Sequence, residues 1–157
     1  MQKIITFLWF DDQAEEAARF YTSLFANSRI TVITHYGADG PGKQGSVMTV
    51  EFELDGQRFA ALNGGPTFHF TEAISLQVEC ADQQEVDRLW TGLLADGGEE
   101  SACGWLKDRY GLSWQITPRV LIDLIADPDR GKVDRVMAAM MRMRKLEIQP
   151  LLDAARG

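Results

Sequence analysis

The apolar positions of the chain change period twice in the same order. An apolar run from Lys3 to Phe10 reads as a strand, and the residues after it take a helical period, with Ala14, Ala17, Ala18, Tyr21, Leu24 and Phe25 at i, i+3, i+4, i+7 spacing. That stripe must be buried on one side. Asp12, with Glu15 three residues on, predicts a capping box at the helix start. Strands are predicted over Arg29 to Tyr36 and Ser46 to Leu54, the second alternating Met48, Val50, Phe52 and Leu54 with Thr49, Glu51 and Glu53. Asp55-Gly56 supplies a two-residue hairpin turn, and the return strand runs from Gln57 to Asn63.

The order then restarts. A strand from Ile74 to Cys80 leads into a helix with apolar positions Val86, Leu89, Trp90, Leu93 and Leu94. A shift of 70 residues lays Asp12-Gln13-x-Glu15 over Asp82-Gln83-x-Glu85, Phe20 over Trp90 and Leu24 over Leu94, which is an internal repeat. Gly97-Gly98 ends the helix, and short strands follow near Glu99 to Ala102, Gly104 to Lys107 and Leu112 to Thr117. The last two are joined across Asp108 to Gly111. Each half reads β-α-β-β-β: module one over residues 3–63 and module two over 74–117, linked through Gly64-Gly65-Pro66 and Phe68-His69-Phe70.

Residues 118–157 turn helical, with a short segment from Val120 to Ile125 and a longer helix capped by Asp127 with Pro128 at its first position. The stripe expected to be buried there is Val133, Val136, Met137, Met140 and Met141, as core or dimer packing. The expected class is α+β: two modules forming a curved mixed sheet within one domain, residues 1–157, with a C-terminal helical tail.

Composition narrows the function classes. With 157 residues, 45% hydrophobic and 25% charged, the chain suits a globular protein and excludes a disordered tail. Its net charge of −7 disfavours grip on nucleic acid, which needs clustered Lys and Arg. Residues 131–157 alone carry six Lys or Arg against three Asp or Glu. The opening apolar run is too short to span a membrane and lacks a signal-peptide cleavage pattern, so a cytoplasmic protein without membrane partner is expected. Only Cys80 and Cys103 are present, without C-x-x-C spacing, which suits free thiols and excludes a structural zinc site.

Familiar catalytic signatures are missing. Gly37-x-x-x-x-Gly42-Lys43 matches most of a phosphate-binding loop, but Gln44 stands where Ser or Thr would bind magnesium, and a strand rather than a helix follows. The plain reading is a Gly-rich hairpin loop that covers a pocket. His35 and His69 are 34 residues apart and have no second ligand at helical spacing. Cys103 lies beside Gly104 and Trp105, near Lys107 and Asp108, without an obvious general base. What remains is a pocket. In a curved sheet backed by helices, one strand parity faces the helices: Leu8, Phe10, Leu62, Leu76, Val78, Cys80, Trp114 and Ile116. The other parity, Phe7, Trp9, Ala61, Asn63, Ser75, Gln77, Ser113 and Gln115, would line a cavity suited to a small amphipathic or aromatic molecule.

These residues carry a family likeness. The duplicated plan, with Phe7-Leu8-Trp9-Phe10-Asp11, Ala14-Glu15-Glu16-Ala17, Leu62-Asn63-Gly64-Gly65-Pro66, Cys103-Gly104-Trp105-Leu106-Lys107-Asp108 and Ser113-Trp114-Gln115-Ile116, resembles the PhnB-like group of the vicinal oxygen chelate superfamily. Members of that group are often named 3-demethylubiquinone-9 3-methyltransferase. The likeness extends into the tail at Asp127-Pro128-Asp129 and Arg135-Val136-Met137 and implies a glyoxalase/bleomycin-resistance type of fold. Relatives such as glyoxalase I bind a divalent metal through the first, fourth, fifth and eighth strands. Those positions fall here near Lys3 to Ile5 and on Asn63, Ala73 and Gln115, which supply no charged ligand set.

The resemblance therefore implies a small-molecule-binding protein without a tightly held metal or other cofactor, expected as a homodimer. The candidate ligand-binding residues are Phe7, Trp9, Asn63, His69, Ser75, Gln77, Cys103, Trp105 and Gln115. One alternative is an enzyme of the glyoxalase/dioxygenase type acting on a small carbonyl or aromatic compound, with His69 or Cys103 moving a proton or attacking. Another is the quinone methyltransferase of the family name. A common S-adenosylmethionine site needs a Gly-rich turn after the first strand, and Asp11-Asp12 stands there instead.

Overall fold

In the computed structural model, which describes residues 2–157, the first apolar run becomes strand β1 (Thr6–Phe10). Leu8 and Phe10 are buried, while Phe7 and Trp9 point to the opposite face. Helix α1 (Ala14–Leu24) follows and buries Ala14, Ala17, Ala18 and Tyr21. Strands β2 (Arg29–His35), β3 (Val47–Leu54) and β4 (Gln57–Asn63) complete a four-stranded sheet in the order β1-β4-β3-β2. β1 and β4 are parallel and the other pairs antiparallel. The Tyr21 ring lies 6.3 Å from that of Phe52, which stacks on Phe59 at 5.5 Å, so α1 covers the face that carries them. Asp55 and Gly56 turn the hairpin with φ of 50° and 77°, as expected for a two-residue loop.

The capping box expected at Asp12 does not form. The N-cap of α1 is Gln13, without a side-chain bond. Asn63 Oδ1 instead accepts the Ala14 N–H at 2.8 Å. The register explains this: β4 runs parallel to β1 with Asn63 beside Phe10, so its last side chain arrives at the first turn of the helix.

The second unit repeats the plan with β5 (Ser75–Cys80), α2 (Gln83–Leu94), β6 (Glu99–Glu100), β7 (Trp105–Lys107) and β8 (Ser113–Pro118), ordered β5-β8-β7-β6. Here the local cap forms as expected, Asp82 Oδ1 accepting the Glu85 N–H at 2.9 Å. α2 buries Val86, Leu89, Trp90 and Leu93, and the sheet contributes buried Cys80, Leu106, Trp114 and Ile116. The chain divides into two compact units, Met1–Phe70 and Thr71–Gly157, each with its own sheet.

The tail belongs to the second unit and contains α3 (Arg119–Ile125), α4 (Arg130–Met140) and α5 (Ile148–Arg156), packed around buried Leu121, Val136, Leu146 and Leu151. Three expectations need correction. Asp129 rather than Asp127 caps α4, accepting the Lys132 N–H at 3.2 Å, because Asp127 is already engaged by the Asp129 N–H at 2.8 Å and by Lys132 Nζ at 2.8 Å. Met141 lies beyond α4 and is 63% exposed, so it leaves the buried stripe. The third tail helix, α5, was not expected. Its start is fixed from α2, where Gln83 accepts the Ile148 N–H at 2.8 Å and donates to the Leu146 carbonyl at 3.0 Å. Arg135 closes its end by donating to the carbonyls of Ala154 and Ala155 at 2.9 Å each. Among the described residues, no helix is long and apolar enough to cross a membrane.

Candidate functional site

The open face of the second sheet carries its polar chemistry. α2 packs against the side bearing Leu106, Trp114 and Ile116, and strand alternation leaves Ser75, Gln77, Trp105, Lys107, Ser113, Gln115 and Thr117 on the other side. Gln115 Nε2 donates to Ser75 Oγ at 2.8 Å, and Gln77 Nε2 reaches Thr117 Oγ1 at 3.4 Å. Trp105 stands opposite Gln115, and Lys107 opposite Ser113. Lys107 pairs with Glu72 from the segment before β5. The hydrogen bond and charge of Glu72 raise the Lys107 pKa, and the same bond holds the Glu72 carboxyl below its usual value.

Strand parity puts Ser113 on this face, although it is not among the candidate ligand-binding residues. It is 1% exposed, and its Oγ has no hydrogen-bond partner among the described residues. A buried hydroxyl without a partner is costly, and its place in a row of amides and hydroxyls marks a missing acceptor or donor.

In the first unit the parity expectation needs correction at β4. Phe7 and Trp9 are on the open face, but the register Leu8↔Ala61 and Phe10↔Asn63 puts Ala61 and Asn63 on the helix-covered face, with Leu62 on the open one. The run Phe59-Ala60-Ala61-Leu62-Asn63 has no polar/apolar alternation, so its phase is set by pairing rather than by pattern. Asn63 uses its amide internally, accepting from Ala14 and donating to the Val47 carbonyl at 3.1 Å. Trp9 is held by Nε1 donating to the Gly65 carbonyl at 2.9 Å, with Phe68 edge-on at 4.9 Å. A Cβ at Gly64 would fall 2.4 Å from the Trp9 ring, so only glycine permits this approach.

A cavity of about 410 Å³ opens in the same unit where β1 and β4 end, lined by Asp11, Asp12, Glu15, Tyr36, Lys43, Asn63 and their neighbours. The loop read as a near-match to a phosphate site does cover a pocket, through Pro41, Gly42 and Lys43. It is wrapped on buried Tyr36, whose hydroxyl donates to the Asn63 carbonyl at 2.5 Å, and a Cβ at Gly42 would meet that ring at 2.3 Å. Three carboxylates against one Lys make the cavity unsuited to phosphate.

His69 is exposed on the segment after Gly65. Cys103 sits in the turn before β7 with φ of 60°, its N–H donating to the Met143 carbonyl at 2.9 Å and its Sγ 3.5 Å from Met141 Sδ. Burial, reinforced by the charge of Glu85, pushes the Cys80 thiol up to about 12. The sequence offers Asp108 as part of a turn and as a neighbour of Cys103, not as the centre of a hydrogen-bond network. Its carboxylate is 3% exposed and accepts the N–H groups of Tyr110 and Leu112 and the indole N–H of Trp114, at 2.9, 3.1 and 2.9 Å. A lone acidic residue in a hairpin loop followed by Trp at i+6 was the available signal.

The strand positions at which the sequence resemblance implies metal ligands do not fit a divalent ion here. Asn63 and Gln115 are neutral amides already engaged by Ala14, Val47 and Ser75, and Ala73 has no donor. Among the described residues, no three His, Cys, Asp or Glu side chains are grouped to hold a metal.

A model of the 3-demethylubiquinone-9 3-methyltransferase family matches residues 2–117. Among solved structures, the chain is similar to a PhnB protein from Bacillus cereus that carries the same methyltransferase name, with 43% identity, 74% of this chain and 99% of that one covered, and a TM-score of 0.68. Protein PA1353 from Pseudomonas aeruginosa is 18% identical, with 75% and 98% covered and a TM-score of 0.62. A glyoxylase/bleomycin resistance protein/dioxygenase domain from Frankia sp. EAN1pec is 16% identical, with 75% and 92% covered and a TM-score of 0.49. No curated protein matches the chain.

Proposed function

We propose, for a chain that belongs to the 3-demethylubiquinone-9 3-methyltransferase (PhnB-like) family of the vicinal oxygen chelate superfamily, that the protein binds a small organic molecule on the open face of β7 and β8 without a tightly held divalent metal. The observation that carries this reading is the buried Ser113 hydroxyl, which has no hydrogen-bond partner among the described residues and stands between Ser75 and Lys107, with Gln77, Gln115 and Trp105 in the next row along the face. Hydroxyls and amides that donate and accept, with an aromatic wall, suit a small polar molecule with a flat apolar body. Asn63 acts in this reading through helix α1 and the start of β3 at Val47 rather than by direct contact.

The test is a thermal-shift panel of small aromatic and carbonyl compounds. Compounds that stabilise the protein are expected to lose their effect in Trp105→Ala and Gln115→Ala and to keep it in Asp12→Ala. A panel without any stabilising compound, or shifts indifferent to Trp105 and Gln115, would overturn the reading. Protein purified without chelator is expected to retain no stoichiometric zinc, nickel or iron after dialysis, and calorimetry with S-adenosylmethionine is expected to show no binding. A homodimer in a reducing, cytoplasmic setting completes the proposal, supported by exposed Ile4, Phe7, Phe68 and Ile74 and by two free thiols.

A further inference from the structure

Among the described residues, Lys107 is the one cation on the open face of β7 and β8, and Glu72 already pairs with it. Lys107 lies directly opposite Ser113, and Ser75 flanks Ser113 on its other side. β8 runs between β5 and β7, and Glu72 enters just before β5, so the Glu72–Lys107 ion pair spans β8 at the level of Ser113. Glu72 is largely in solvent and Lys107 partly so, with side chains 60% and 39% exposed, and a solvent-screened pair of this kind holds weakly. The Ser113 hydroxyl beside them is buried and has no hydrogen-bond partner among the described residues. An ammonium neutralised by an internal carboxylate thus lies beside a hydroxyl that lacks an acceptor.

We propose that Glu72 is a displaceable stand-in for the carboxylate of a ligand, which takes its place on Lys107 and accepts a hydrogen bond from Ser113 Oγ. This deepens the open-face reading and rests on it. A carboxylate offers lone pairs to several donors at once, so one oxygen can face Lys107 Nζ while the other faces the hydroxyl. Glu72 serves the lysine and leaves Ser113 unsatisfied; a ligand carboxylate serves both. Trp105, two residues before Lys107 on the same face, sets the other end of the site, so the ligand class is a small carboxylic acid with a flat apolar body. Glu99, opposite Lys107 on β6, adds negative charge that the ligand does not remove. It limits affinity and favours a monoanion over a dianion.

Benzoate and its neutral counterpart benzamide separate the possibilities, measured by calorimetry and by shifts of the Trp105 indole and Gln115 amide resonances. Benzoate is expected to bind and benzamide to bind at least tenfold more weakly. Glu72→Gln removes the internal competitor and is expected to tighten benzoate about tenfold while leaving benzamide unchanged. Lys107→Met is expected to abolish the preference for benzoate. Ser113→Ala is expected to weaken benzoate several-fold without lowering the melting temperature, because the truncated hydroxyl has no partner to lose. If Glu72→Gln leaves benzoate binding unchanged or weaker, or if benzamide binds as tightly as benzoate, the carboxylate inference falls while binding that still responds to Trp105→Ala keeps the open-face reading. If neither compound perturbs Trp105 or Gln115 in the wild type or in Glu72→Gln, the carboxylate inference is overturned, and the thermal-shift panel decides the wider reading separately.

Discussion

Replacing Asp108 should unfasten the β7–β8 hairpin. Its carboxylate is buried and receives two backbone N–H groups and one indole N–H, while its own N–H donates to the Leu112 carbonyl at 2.9 Å. Each bond to a charged acceptor contributes about 1.5 to 3 kcal/mol, and donors left unsatisfied in the interior add to the loss. Three such bonds at the lower end come to about 4.5 kcal/mol. Water can reach the partly exposed Tyr110 once the carboxylate is gone, which brings the expected cost of Asp108→Ala to about 3 to 4 kcal/mol. At roughly 2 to 4 °C per kcal/mol for a chain of this size, the melting temperature should fall by about 10 °C. Asp108→Asn keeps the Oδ1 acceptor for Tyr110 and Leu112 but turns an amide NH2 toward the Trp114 indole N–H, so about half the loss is expected. Circular dichroism gives the melting temperature, and hydrogen exchange at Leu112 reports the hairpin directly. A loss below about 1 kcal/mol for Asp108→Ala, or an equal loss for Asn and Ala, would refute the assignment of the hairpin to this carboxylate.

Two further outcomes test the units separately. Asp82→Ala removes a local cap and should cost about 1 kcal/mol, whereas Asn63→Ala removes both the Ala14 and Val47 bonds and should cost about 2 kcal/mol; chemical denaturation measures both, and Gln13→Asp should restore part of the second by supplying a local cap. Thiol titration of native protein near pH 8 should label Cys103 and spare Cys80, whose thiol stays protonated until pH approaches about 12 and becomes reactive near neutrality only in denaturant; rapid native labelling of both would contradict the buried position of Cys80.

Local signals in the sequence carried the elements whose determinants are local. The period switch at Asp12, the Asp55-Gly56 turn and the Asp82 cap all depend on residues a few positions apart, and each element followed except the Asp12 cap. What escaped depends on distant partners. The start of α1 is satisfied from β4 by Asn63, and the start of α5 from α2 by Gln83, each across about 50 or more residues that no periodicity connects. The phase of β4 was invisible for a related reason: Ala60 and Ala61 are both buried and both apolar, so only pairing with β1 decides which faces the helix.

That phase also decides which unit carries the chemistry. Under the repeat of 70 residues Phe7 corresponds to Gln77 and Phe10 to Cys80, and their sheet partners make Ala60 the counterpart of Gln115 and Asn63 the counterpart of Pro118. Asn63 and Gln115, which the sequence resemblance pairs as metal positions, are therefore not equivalent by the repeat. One sits at a strand end and serves a helix; the other sits mid-strand on an open face. Pro118 offers no side-chain acceptor, so α2 must be capped locally by Asp82, while α1 is free to lose its local cap because Asn63 serves it. On the open faces the exchange runs the other way: Phe7 and Ala60 in the first unit are replaced by Gln77 and Gln115 in the second. The duplicated scaffold has thus placed helix support in one copy and hydrogen-bonding capacity in the other, which is why the open-face proposal rests on β5, β7 and β8 of the second sheet.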